Sequence, residues 1–223
     1  SLAAYGGILA LSATMDSDAA ARITEDKSIF LEVIVAPRFS ADALELLRRR
    51  WANVRLLASG MPQDLIEEPP IEMRTVPGGL LAQTPAVLLA STFTHKAGPV
   101  PTAAQLKVAA FLEPVCRSLF SNAVCLGGEG SDGSLRLFGA GAGQMDRVTS
   151  SRLAVEKAGE RAGNSVCFSD AFFPFSDGPA LLAEAGVSVI VHPGGSKRDQ
   201  DTFDLCNQRG ISCLTTGIRH FRH

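Results

Sequence analysis

The sequence predicts an α/β fold with a largely parallel sheet covered by helices on both faces, and three observations carry that prediction. Short apolar runs alternate with stretches of helical period along most of the chain. The run LEVIVAP (Leu31–Pro37) is short, β-branched and closed by proline, the mark of a strand buried on both sides. In the last sixty residues, SVCFSD and VSVIVHP are each followed by a turn and a helical stretch, and ISCLTTG ends the series. Strand–helix–strand alternation of this kind places the strands parallel and the helices over them.

Taken in order, Ile8–Leu11 is apolar, and Asp16-Ser17-Asp18 starts a helix over Ala19–Thr24. After LEVIVAP, Ser40 caps ADALELLRRRW, where Ala43, Leu44, Leu47 and Trp51 recur at helical spacing. NVRLLA (Asn53–Ala58) is the next strand. Ser59–Pro70, with Gly60, Pro62, Pro69, Pro70 and several acids, reads as a linker, which divides the chain into lobes at 1–65 and 66–223. MRTVPGGLLAQ (Met73–Gln83) predicts extended segments around a Gly78-Gly79 turn. Thr102 opens a helix over AAQLKVAAFLEPVCRS. NAVCLGG and SLRLFGAG form a hairpin about Ser131-Asp132-Gly133, and a helix runs from Arg147 to Ala162. PALLAEAG and KRDQDTFDLCNQRG are the helices between the final strands.

Composition excludes several classes. With 46% hydrophobic residues and a net charge of −2, a disordered chain is excluded. A pI near 6.1 leaves no basic footprint for nucleic acid. No apolar run approaches the ~18 residues of a membrane helix. The opening SLAAYGGILALSA lacks the basic start of a signal peptide. Five cysteines, none in a CxxC pair, argue against a disulfide framework. The expectation is a reduced, soluble, cytoplasmic protein without membrane contact.

Four stretches carry candidate chemistry, each with a plain structural alternative. GAGAGQMDR (Gly139–Arg147) joins a strand to a helix: its small residues bring backbone N–H groups to a ligand, or form a tight turn. Gln144 and Arg147 favour ligand contact, since both read planar polar groups. SDAFFPFSD (Ser169–Asp177) puts a rigid aromatic loop at a strand's carboxyl end, where open α/β sheets bind ligands. It stacks on a flat ring or packs in the core, and Asp170 and Asp177 are candidate acceptors for ring amino groups. HPGGSKRD (His192–Asp199) offers exposed N–H donors beside Lys197 and Arg198, or is an ordinary turn. TGIRHFRH (Thr216–His223) is chemically crowded for a chain end. His95-Lys96 is a candidate base and cation, with exposed loop charges as the plainer reading. No GxSxG, HExxH or zinc-deaminase signature is present.

In order along the chain, AAYGGILAL, LEVIVAPRFSADALELL, VPGGLLAQ, SNAVC, GAGAGQMDRVTSSRLAVEKA, SDAFFPFSDG, HPGGSKRD and RHFRH resemble the transformylase domain of the AICAR formyltransferase/IMP cyclohydrolase family, in its C-terminal part. The resemblance spans nearly the whole chain. It implies a three-layer, cytidine-deaminase-like fold occurring twice, the first copy incomplete here, without the deaminases' zinc. It implies formyl transfer from 10-formyltetrahydrofolate to the 5-amino group of AICAR, giving FAICAR, with no metal needed for the chemistry. It also implies a homodimer with active sites at the subunit interface.

By motif, the resemblance places Gly6, Glu32, Asn122, Phe172 and Arg219 at AICAR, and Arg147, Val148, Asp177, Ser196 and Lys197 on the folate side. Asn122 and the terminal His223 are its catalytic candidates. Tyr5 stands where the family commonly has phenylalanine, Glu32 where some members have aspartate, and Phe120 where many carry lysine or glutamine. The family's base is a histidine of a Lys-His pair upstream of the AAYGG block, outside these residues, as is the cyclohydrolase domain. His95-Lys96 has the reversed order and different neighbours. The expectation is a piece of a longer enzyme; the alternative is a non-catalytic nucleotide- or folate-binding homologue of the same fold.

Overall fold

A computed structural model describes residues 5–60, 71–83, 89–90 and 92–223. The chain divides into two compact units, at 1–84 and 85–223. The linker read at Ser59–Pro70 falls mostly on 61–70, outside the described residues.

In the first unit, β1 (Tyr5–Ala10), β2 (Phe30–Ala36) and β3 (Arg55–Ala58) form a parallel sheet with β2 in the middle. Helix α1 (Ser17–Glu25) starts at Asp16, whose Oδ1 accepts from the Ala19 amide at 2.8 Å. Helix α2 (Ala41–Arg50) starts at Ser40, whose Oγ accepts from the Ala43 amide at 3.2 Å. Such caps satisfy N–H groups that the first helical turn leaves open. Ile34 and Ala36, two apart on β2, bury one sheet face against Ala20, Ala43 and Leu47 of the two helices. Residues β4 (Glu72–Val76) and β5 (Gly79–Gln83) form an antiparallel hairpin turning at Gly78, whose φ is +85°.

The second unit is a six-stranded mixed sheet. It contains β6 (Thr94–Ala97), β7 (Val124–Glu129), β8 (Leu135–Gly141), β9 (Val166–Ser169), β10 (Val189–His192) and β11 (Ser212–Thr215). Their spatial order is β6-β11-β10-β9-β7-β8. The centre, β9-β10-β11, is parallel, while β6, β7 and β8 run antiparallel to their neighbours. Helices α3 (Ala103–Arg117), α4 (Arg147–Ala158), α5 (Asp177–Glu184) and α6 (Asp199–Arg209) cover it.

Strand alternation sorts the core into two layers. Cys125, Phe168, Val189, Val191 and Leu214 face α3, where Val108, Ala109, Leu112 and Cys116 form the packing stripe. Val124, Cys167, Ile190 and Cys213 face the other way, toward Ala154 of α4, Leu182 of α5 and Cys206 of α6. Helices therefore lie on both faces of this sheet, as the sequence predicts for the chain.

Three details differ from the sequence reading. The helix begun at Arg147 ends at Ala158, because Gly159 takes φ +58° and a 3-10 turn follows over Gly159–Ala162. His95 and Lys96 lie in edge strand β6 and not in a loop: their exposed side chains hide the pairing of β6 with β11. In the first unit, the two helices meet the Ile34 face, while Val33 and Val35 on the other face are only half-buried. Among the described residues, no helix is long and apolar enough to cross a membrane.

Candidate functional site

Arg147 is the first residue of α4, seated there by the Asp146 cap, whose Oδ1 accepts from the Thr149 amide at 2.7 Å. Its guanidinium turns inward, and the residue is 8% exposed. Nη1 donates to Asp170 Oδ1 at 3.0 Å and to Asn122 Oδ1 at 3.2 Å. Nη2 donates to Asn122 Oδ1 at 3.0 Å, and Nε donates to the Phe172 carbonyl at 3.1 Å. Burial pulls the Arg147 pKa down from the usual arginine value, and the Asp170 carboxylate opposes that shift. One buried cation thus gathers the segments after α3, at the start of α4 and after β9.

The consequence falls on Asn122, which a cis peptide bond joins to Ser121. A guanidinium only donates, so the amide atom facing Arg147 is Oδ1. Asn122 Nδ2 donates to the Gln144 carbonyl at 2.8 Å. An amide nitrogen carries two hydrogens, so one N–H remains for a ligand, with its direction already set.

Asp170 is fully buried, and both its oxygens are engaged: Oδ1 by Arg147 and Oδ2 by the Ser121 hydroxyl at 2.6 Å. It is a scaffold member, and the reading of Asp170 as an acceptor for ring amino groups is corrected. Asp177 is exposed, and its Oδ1 accepts from the Gly178 amide at 2.8 Å at the start of α5.

The three phenylalanines of SDAFFPFSD divide by role. Phe173 is 1% exposed and belongs to the core. Phe172 is half-buried, with the Arg219 guanidinium 4.9 Å above its ring. Phe175 is exposed, with Arg198 stacked on it at 5.0 Å. A Cβ placed on Gly195 would lie 3.5 Å from Arg219 Nη2, so the HPGGSKRD loop runs beside Arg219. Asn122, Arg147, Phe172, Arg219 and the loop bearing Ser196 and Lys197 are thus brought into one contiguous region. Val148 follows Arg147 and is half-buried; Lys197 is exposed and Ser196 half-buried. His223 is exposed, its ring 5.8 Å from that of Phe221.

Two loop readings are corrected. In HPGGSKRD the N–H groups are spoken for: Gly194 donates to His192 Nδ1 at 3.1 Å, and Gly195 and Ser196 donate to Asp199 Oδ2 at 2.7 and 3.2 Å. His192 is fully buried, and burial drops its pKa to about 4, which keeps Nδ1 an acceptor. In GAGAGQMDR, Gly139 and Gly141 serve packing. A Cβ on Gly139 would lie 2.1 Å from the Ala154 carbonyl oxygen, and one on Gly141 would lie 2.0 Å from that of Ser150. Strand β8 can lie against α4 only without those side chains. Among the described residues, no cluster of three His, Cys, Asp or Glu side chains is placed to hold a metal ion.

Gly6 and Glu32 meet in the first unit. Gly6 has φ +75°, and a Cβ there would lie 2.7 Å from Glu32 Oε1. Glu32 Oε2 is 3.8 Å from Arg55 Nη1. Both carboxylate and guanidinium border a groove of about 760 Å³, with Tyr5, Phe30, Arg50 and Trp51 among its walls.

Glu113, Ser121 and His220 are structural members of this region that motif reading did not assign. Glu113 had a signal: it falls four after Ala109 and three before Cys116, on the apolar stripe of α3.

An α/β domain with a cation-fixed amide and a cation-stacked aromatic ring at the carboxyl ends of its strands is the class this region defines. The family model for the AICARFT/IMPCHase bienzyme matches residues 1–157. The bifunctional purine biosynthesis protein PurH of Cutibacterium acnes is 40% identical over 228 residues, covering 100% of this chain and 42% of that protein. Its counterpart in Neisseria gonorrhoeae is 40% identical over 226 residues, covering 99% and 41%. That of Anoxybacillus flavithermus is 39% identical over 221 residues, covering 98% and 41%. The chain belongs to the AICARFT/IMPCHase bienzyme family, and it spans about 40% of the length of these relatives. Among solved structures, Acinetobacter baumannii RibD (form 2) gives a TM-score of 0.34 at 18% identity over 51% of this chain and 35% of its own, too slight a likeness to bear on the fold.

Proposed function

We propose that this chain is the AICAR formyltransferase part of the bienzyme. It moves the formyl group of 10-formyltetrahydrofolate to the 5-amino group of AICAR, in the cytoplasm, within a homodimer whose sites lie at the subunit interface. The observation that carries the reading is the Asn122 amide, oriented by buried Arg147 and tied through it to the Phe172–Arg219 stack.

The chemistry asks for what this arrangement offers. AICAR's amine is a weak nucleophile, because its lone pair is spread into the imidazole and carboxamide. Transfer needs alignment of amine and formyl carbon, a base, and donors for the tetrahedral oxyanion. The remaining Asn122 N–H donates to the carboxamide oxygen or to that oxyanion. Phe172 and Arg219 present a flat face and a positive charge to the AICAR nucleotide. The folate lies along Arg147, Val148, Asp177, Ser196 and Lys197, and His223 stands at the reacting centre. The amine nitrogen bonds to the formyl carbon and gives up a proton to the base, the family's upstream histidine. The bond from N10 to that carbon breaks and N10 takes a proton, releasing tetrahydrofolate and FAICAR.

The test uses Asn122→Asp in the intact protein that carries this chain, following tetrahydrofolate release. Aspartate keeps an acceptor for Arg147 and removes both N–H donors, the one on the Gln144 carbonyl included. Turnover is expected to fall about 10²–10³-fold, the cost of one oxyanion donor, with the fold retained. Unchanged turnover in the variant overturns the assignment. AICAR binding without any turnover in the unaltered protein favours the non-catalytic homologue instead.

A further inference from the structure

We propose that Glu113 and His220 form a buried clamp that positions the C-terminal tail, making Glu113 a positioning residue for the reaction. The catalytic part of this inference rests on the formyltransferase reading above.

Glu113 on α3 is 2% exposed and His220 in the tail is 1% exposed, and His220 Nε2 lies 2.9 Å from Glu113 Oε1. Oε1 also accepts from the Ala90 amide at 2.7 Å, so the carboxylate is held from a second side and the ring Nε2–H is the donor. The surroundings are apolar: Leu112, Cys116 and Phe168 are fully buried, and the Phe168 ring is 6.1 Å from that of His220. An apolar pair of similar volume fills such a site at equal or lower cost. What the polar pair adds is direction, since a hydrogen bond fixes how the ring and its backbone lie.

The direction matters because the tail is anchored at His220, which is buried, and at Arg222, which is exposed but held through its backbone. His220 is buried, and its amide donates to the Asp170 carbonyl at 2.9 Å. Arg222 is tied to the segment bearing Asn122: its amide donates to Ser121 Oγ at 3.0 Å, and its carbonyl accepts from the Ser121 amide at 2.8 Å. Its Nη1 donates to the Ser118 carbonyl at 2.7 Å. The odd positions Arg219, Phe221 and His223 are exposed, with Arg219 on Phe172 and the Phe221 and His223 rings 5.8 Å apart. Backbone held at residue 220 and again at residue 222 leaves the side chains between and beside them little freedom of direction. Anchoring 220 and 222 therefore presents 219 and 223, the two tail residues assigned to the reaction.

His220 Nδ1 is buried without a partner, so among the described residues Glu113 is the ring's hydrogen-bond partner. Removing Glu113 leaves both ring nitrogens buried and unpaired, which drives the ring, and the tail with it, toward water.

The experiment compares three variants of the intact protein with the unaltered one, by amide exchange at His220 and Arg222 and by the split between KM for AICAR and kcat. Glu113→Ala is expected to speed exchange at both amides and lower kcat/KM about 10²-fold, the scale of a small misplacement. Glu113→Gln keeps Oε1 as acceptor and is expected to restore both readouts. The double variant Glu113→Leu with His220→Phe refills the volume and frees only the half-buried Ala90 amide, so it is expected to fold with melting close to that of the unaltered protein, yet to lose kcat/KM like Glu113→Ala. Unchanged exchange in Glu113→Ala overturns the clamp. Wild-type kcat/KM in the double variant overturns the positioning role. Absence of turnover in the unaltered protein is the separate failure of the functional reading, and tail exchange then decides the clamp.

Discussion

His192 shows how one buried residue ties acid stability to loop structure. Its ring is fully buried between Phe173 and Phe203, 5.9 and 6.1 Å away, and its Nδ1 accepts from the Gly194 amide. Burial lowers its pKa from 6.5 to about 4. Between those values the unfolded chain holds a proton that the folded chain does not, so stability is full above pH 6.5 and is lost as pH falls toward 4. The loss amounts to roughly 3 kcal/mol at the acid end. Urea denaturation between pH 4 and 7 is expected to show a slope that His192→Gln reduces; equal slopes in both proteins overturn the assignment. Residue types alone did not disclose this. Motif reading found His192 and the glycines after it, but not that His192 and Asp199 consume the loop's N–H donors. The same holds for Asp170: a charged residue directly after a fully buried strand is visible in sequence, whereas its pairing with Arg147 depends on where β9 and α4 meet.

At the scale of elements, periodicity and caps made most of the second unit legible. Thr102 starts α3 as read, and so does Ser40 for α2 in the first unit, because a side-chain acceptor before an apolar run has few other uses. The hairpin at Ser131-Asp132-Gly133 pairs as read. Edge strand β6 was not legible, since THKA carries no apolar alternation and only Ala97 reaches the core. Nor was the purpose of the GAGAG segment, because small residues suit a ligand or a neighbouring helix equally well. The close approach of β8 to α4 decides it. Gly141→Ala is expected to push α4 from the sheet and destabilise the protein by about 1–3 kcal/mol or more, read as a lower urea midpoint. Since α4 carries Arg147, the variant is also expected to lose turnover. Gly143→Ala separates crowding from chain flexibility: no atom lies within 4 Å of its Cβ position, though its φ of +67° still strains an alanine. A Gly141→Ala variant no less stable than Gly143→Ala overturns the packing account.

On the scale of the whole molecule, the predicted site residues are shared between the units: Gly6 and Glu32 in the first, the others in the second. The second unit has a core on both faces of its sheet, built from its own helices and strands, which is what independent folding requires. The hydrogen bonds that hold Asn122, Arg147, Asp170 and the tail also begin and end within it. The sequence reading places a break at the Pro- and Gly-rich stretch Ser59–Pro70, while the compact units divide at 84/85. It did not show which lobe holds the buried network, because contacts such as Glu113 with His220 join residues more than a hundred apart. A chain reduced to residues 85–223 is therefore expected to fold cooperatively by itself. Its urea unfolding should follow one transition with a slope of about 1–3 kcal/mol/M, with coincident fluorescence and circular dichroism curves. Amide exchange at His220 and Arg222 should match that of the intact protein, since every anchor they use is retained. A broad, probe-dependent transition, or tail amides that exchange freely in the shortened chain, would show that the first unit is needed to form the second unit's core and its buried network.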